Sequence, residues 1–185
     1  STLGSGFNVP RIERSGNVRL DFGVDFSTVN ANPTRLLAGI GTRFSTPTVT
    51  RMVTTPGVWQ TGGTSYLLDP TNTQPAAVTV HTGVMNQALN ALWRGGWFDA
   101  RVAGGSLGTG VIAVVRTSLP PITQPRTGGA LGLELAALDV ELTVPNVFDP
   151  PLRVRLGAIA STRVTLAGSA LTVDDFTKQV HVVDV

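Results

Sequence analysis

Residues 104–108 read Gly-Gly-Ser-Leu-Gly and so match the Gly-x-Ser-x-Gly pattern, in which a strained strand-to-helix turn presents a serine hydroxyl for acyl transfer. That chemistry needs a helix directly after Ser106 and an imidazole in reach to take its proton. Here Ser106 and Leu107 lead instead into Gly108-Thr109-Gly110 and then the apolar run Val111 to Val115, which has the composition of a strand. The chain has 2 histidines, His81 and His181, and neither stands in a triad context. Ser106 is therefore read as a turn residue, and His81 as a solvent-facing or capping residue beside a helix start. Two histidines and scattered aspartates offer no zinc spacing, and no loop has the alternating Asp and Asn closed by Glu that calcium requires. The carboxylates in Val173-Asp174-Asp175-Phe176 and Phe148-Asp149-Pro150-Pro151 read as solvated turn residues. Gly39 to Phe44, Gly-Ile-Gly-Thr-Arg-Phe, starts like a dinucleotide fingerprint but lacks its third glycine. The expectation is a protein that is not an enzyme and uses no metal or cofactor.

Composition narrows the classes further. Of 185 residues 42% are hydrophobic and 14% charged, against roughly 25% charged in ordinary soluble domains. Part of the surface must then be neutral or apolar. The 14 basic and 12 acidic residues leave a net charge of +2, and Arg11, Arg35, Arg51, Arg94, Arg116 and Arg163 are scattered rather than clustered, so no nucleic-acid partner is expected. Arg153 and Arg155 sit at strand spacing and read as the solvated face of one strand. Zero cysteines exclude a disulfide framework and a thiolate metal site. No apolar run approaches the roughly 20 residues of a membrane-spanning helix, so no transmembrane segment is expected. The chain opens at Ser1 with neither an initiator Met nor a signal peptide, and reads as a processed or excised piece.

The elements that must position any site are mostly strands. Val18, Leu20, Phe22, Val24 and Phe26 alternate with Arg19, Asp21, Gly23 and Asp25, the period of a half-buried strand. Residues 131–144 alternate twice: Leu131, Leu133 and Leu135 in one phase, then Leu138, Val140, Leu142 and Val144 in the other. A bulge or tight bend at Ala136-Ala137 would reconcile the phases. Residues 152–156 and 162–166 alternate again, and proline-rich and glycine-rich punctuation separates the runs. The organisation expected is a strand-rich segment over 1–53, a loop or linker over 54–77 and a helix-plus-sheet segment over 78–185, within one compact domain.

One stretch breaks the pattern. Between Thr82 and Phe98, a wheel over 84–94 gathers Val84, Met85, Ala88, Leu89, Ala91, Leu92 and Trp93 on one broad side and Asn86, Gln87, Asn90 and Arg94 opposite. Thr82 is the expected N-cap, and Gly95 or Gly96 the left-handed stop. The predicted helix covers about 83–94. Its apolar arc exceeds half the circumference, wider than packing on one sheet requires, and Trp97 and Phe98 extend it past the glycines. Such a helix is either deeply buried or borders a second apolar surface.

Residues 80–102 resemble the opening of the second repeat in the BPI-like family of tubular lipid-binding (TULIP) proteins, in which a strand leads into a helix. Met85, Asn86, Leu89, Leu92, Trp93, Gly96 and Phe98 fit the family's helix pattern, and the proline-rich crossing and alternating strands downstream come in the same order. The resemblance extends over about 75–173. It implies an α+β, β-dominated fold: a curved antiparallel sheet packed on one principal helix, a half-barrel enclosing a groove for acyl chains. Family members continue into a further long helix, whereas this chain stops at His181-Val182-Val183-Asp184-Val185, so a single copy reads as an incomplete tube. The function expected is non-catalytic binding of lipid or another hydrophobic small molecule, with Val84, Met85, Ala88, Leu89, Leu92 and Trp93 along the groove and Trp97 and Phe98 near its mouth. An extracellular, periplasmic or cell-surface bacterial protein fits that expectation. The alternative is a structural subunit of a surface assembly, with the apolar face against a homo-oligomeric neighbour or a missing partner repeat. A serine hydrolase using Ser106 ranks behind both.

Overall fold

The computed structural model describes residues 3–12, 16–32, 34–51, 81–127, 130–167 and 170–184. The expected loop over 54–77 lies outside them. The fold is α+β and β-dominated, with antiparallel sheets and one helix among the described residues.

Three strands form the first sheet in sequence order: β1 (Leu3–Pro10), β2 (Asn17–Asn32) and β3 (Arg35–Ser45). The alternation predicted from Val18 is met, and the strand runs on past Phe26. Register sets Val9 opposite Val18, Phe7 opposite Leu20, Phe22 opposite Phe44 and Phe26 opposite Ile40, which makes one apolar face. The rings of Phe22 and Phe44 lie 4.9 Å apart. Between Phe26 and Thr28 the ladder slips, so Val29 pairs with Ala38 and Ala31 with Leu36. This slip keeps the apolar residues on the same face although their sequence phase changes.

The helix α1 (Thr82–Arg94) leads to β4 (Ala100–Ala103), β5 (Ile112–Thr117), β6 (Ile122–Pro125), β7 (Ala130–Thr143), β8 (Leu152–Ala167) and β9 (Ala170–Asp184). These six strands form a second sheet ordered β4-β5-β7-β8-β9, with β6 also paired to β7. The register of β7 on β8 shifts between Leu135 and Leu138, the bulge that the phase slip at Ala136-Ala137 calls for. Leu133, Leu135, Leu138, Val140 and Leu142 consequently share a face with Val154, Leu156, Ala158 and Ala160. Residues 152–156 and 162–166, separate runs in the sequence pattern, are one continuous strand. Asp174 and Asp175 lie within β9, not in a turn: Asp174 pairs with Arg163, and Asp175 falls at the register shift that follows.

The helix begins at the expected place with a different cap. His81, rather than Thr82, precedes the first turn, and its Nδ1 accepts a hydrogen bond from the Gly83 N–H at 3.0 Å. Gly96 takes the left-handed conformation at the other end, with φ of 72°.

Candidate functional site

The wide apolar arc is explained by where the helix sits. It contacts β2 and β3 of the first sheet and β6 of the second, and so lies between the two. Asn86 and Trp93, seven residues apart, fall on one stripe and face the second sheet. The Trp93 indole N–H donates to the Thr117 carbonyl at 2.8 Å. Ala91 and Gly95 fall roughly opposite, toward the first sheet. A Cβ at Gly95 would stand 2.4 Å from a Val18 methyl, so only glycine permits this closeness. Val18 and Leu20 are 0% and 3% exposed beneath the helix, and Trp93 is 2% exposed.

Asn86 corrects the helical wheel, which set it on the solvent side. It is buried, and its amide hydrogen-bonds like a strand: Oδ1 accepts from the Thr123 N–H at 2.6 Å and from the Thr123 hydroxyl at 2.9 Å, while Nδ2 donates to the Thr123 carbonyl at 3.1 Å. The short strand β6 pairs only with β7, and the Asn86 amide satisfies its other edge. Met85, placed by the wheel on the apolar side, is among the exposed residues.

With two stripes engaged, one apolar flank is left over. Met85, Leu89 and Leu92 take the i, i+4, i+7 spacing along it; Leu89 and Leu92 are half-buried. Val84 and Ala88, also half-buried, lie toward the first sheet. Thr123 turns its hydroxyl to Asn86 and pairs in register with Leu133, so the leucine face of β7 and β8, which Thr117 shares opposite Leu138, is turned to the helix side of its sheet. Along β7 and β8 those leucines and valines stay half-buried. Length accounts for it, since a helix of 13 residues spans about 20 Å and a strand of 16 residues about 53 Å.

Beyond Arg94 the chain turns into a clasp that sequence reading missed. Last-turn carbonyls have no partner within a helix and carry its negative end. Here Arg51 Nη1 donates to the Trp93 carbonyl at 2.6 Å, Thr50 donates to Arg94 through N–H and hydroxyl, and Arg11 donates to the carbonyls of Gly95 and Gly96 at 3.0 and 2.9 Å. Arg51 also pairs with Asp99 and lies 5.1 Å over the Trp93 ring. Trp97 donates its indole N–H to the Pro10 carbonyl at 2.6 Å and meets Phe98 edge-on at 4.7 Å. Trp93 and Trp97 are thus both hydrogen-bonded into the frame, and of the eight predicted groove residues Met85, Leu89 and Leu92 form the uncommitted stripe.

The second sheet's other face is charged. Arg116, Asp139, Arg155 and Asp184 stand opposite one another across four strands, and Glu141 faces Arg153 one rung away. The signs alternate, and with Val114 these residues line a depression of about 420 Å³. Asp139 is held below the ordinary carboxylate value of 3.8, first by a hydrogen bond from the Ser118 hydroxyl and then by Arg155, whose own pKa is raised in turn. Arg153 and Arg155 are exposed, as their spacing predicts. An ion-paired rim of this kind suits solvation, and it lies on the opposite side of the sheet from the helix flank.

Comparisons with protein-family models, curated proteins and solved structures find no match to this chain. Gly105–Leu107 is a 3-10 turn succeeded by a second turn and β5, so no long helix comes after Ser106. Among the described residues no three His, Asp or Glu side chains converge as a metal site, and no helix is long and apolar enough to cross a membrane.

Proposed function

We propose that this chain binds lipid or another apolar ligand without catalysis, along the helix flank formed by Met85, Leu89 and Leu92 and the half-buried leucine face of β7 and β8. The observation that carries this reading is that the helix uses two of its sides on two sheets and still has a third apolar side left over, in a sheet whose strands are too long for it to cover. The resemblance of residues 80–102 to the BPI-like, tubular lipid-binding proteins points the same way, and with it an exported or surface location. Each buried CH₂ of a ligand contributes about 0.8 kcal/mol, so an acyl chain is held without a charged anchor. Trp97 and Phe98 adjoin the far end of the flank.

The test is organic extraction of natively purified protein and lipid mass spectrometry of the extract, paired with quenching by a brominated fatty acid. A Trp59→Phe background confines the fluorescence to Trp93 and Trp97. Bound lipid, saturable quenching and loss of both in Leu89→Lys are expected. Finding neither lipid nor quenching in the parent protein would refute the reading.

A further inference from the structure

We propose that the distal face of the ribbon formed by β2 and β3 is a self-association surface, closed in solution by the same face of a second copy about a twofold axis. It is a different surface from the helix flank, and it stands or falls independently of ligand binding. Phe26, Val29, Leu36 and Ile40 are each more than half exposed, Phe26 at 62% and Leu36 at 72%. Register puts all four on one face, with Ala31 and Ala38 between them. Without the slip after Phe26, Val29 and Ala31 would turn to the other side; the ladder gives up regular pairing and in return this face stays continuous.

Chemistry selects the occupant. Asp25 pairs with Gly41 and Arg43 with Gly23, which places both charges on the opposite face. An identical surface therefore meets this one without burying an unpaired charge, the costly event at an interface. Four large side chains and two alanines offer roughly 400–500 Å² of apolar surface, so two copies bury on the order of 1,000 Å², the lower bound for a specific interface. One copy alone would leave a patch of that size bare, at the upper end of what monomers carry. A sheet face of this kind packs on another at about 10 Å.

Sedimentation velocity of the full chain over a wide concentration range tests this. The mass is expected to rise from one chain to two, and Leu36→Lys is expected to remain a single chain throughout with unchanged far-UV circular dichroism and tryptophan emission. Because the chain has no cysteine, Ala38→Cys and Asn30→Cys report on the two faces separately. A short bis-maleimide should join copies through Ala38→Cys and not through Asn30→Cys. A parent chain that stays single overturns the proposal, as does a dimer insensitive to Leu36→Lys or uncrosslinked through Ala38→Cys. A single chain that floats with phosphatidylcholine vesicles, and ceases to in Leu36→Lys, assigns the face to a membrane and equally overturns it.

Discussion

Val18 and Phe26 stand on one face of the same strand, yet the first is sealed beneath the helix and the second is bare. Between them Phe22 and Val24 are half-buried, so cover fades steadily along β2. The residues hardly differ in apolar character; what differs is the distance from the last turn of α1. Alternation therefore states which way a side chain points, and a separate element decides whether pointing that way excludes water. Full burial of a side chain of this size stabilises by roughly 1.5–3 kcal/mol, which the near end of the ribbon gains and the far end of a lone chain forgoes.

Three substitutions separate the two ends. Trp93→Ala should have the largest effect, about 3–5 kcal/mol of lost stability, since it empties the space between the sheets and removes the donor to Thr117; urea unfolding monitored by circular dichroism measures it. A loss below about 1 kcal/mol would mean that the helix end is not the core. Val18→Thr changes shape little but buries a hydroxyl where exposure is nil, and should cost about 1–3 kcal/mol. Val29→Thr makes the same change at the far end and, measured at a dilution where chains are single, should alter stability by less than about 0.5 kcal/mol. Equal effects for the two threonines would erase the distinction between covered and uncovered ribbon.

Much of the architecture is visible in local spacing. Period-two runs mark β2, β7 and β8, and the phase slip at Ala136-Ala137 marks a bulge because a slipped phase cannot otherwise stay on one face. The helix is equally plain, from its propensity and glycine stop. What escapes local reading depends on contacts across many residues. Asn86 looks polar, hence solvent-bound, until β6 is known to leave an edge beside it. Arg11 and Arg51 look like scattered surface charge until the helix end brings its last carbonyls to them. For the same reason the wheel shows that Met85, Leu89 and Leu92 are apolar, but only the two flanking sheets show that they form the side left over. A signal is present in one case: Asn86 stands between the apolar Met85 and Leu89 of the helix, and an amide so placed is a candidate for pairing with a strand edge.

The clasp at the end of α1 has a mechanical meaning. Hydrogen bonds from Arg11, Thr50 and Arg51, and the one accepted by Pro10, all reach residues 93–97. The first sheet is thus mounted like a cantilever, fixed where β1 ends, β2 begins and β3 runs out, and without cover from the helix where β2 turns into β3. A tilt of about 5° at that mount, carried along the remaining length of a strand near 50 Å, displaces the free end by about 4 Å, the width of one hydrocarbon chain.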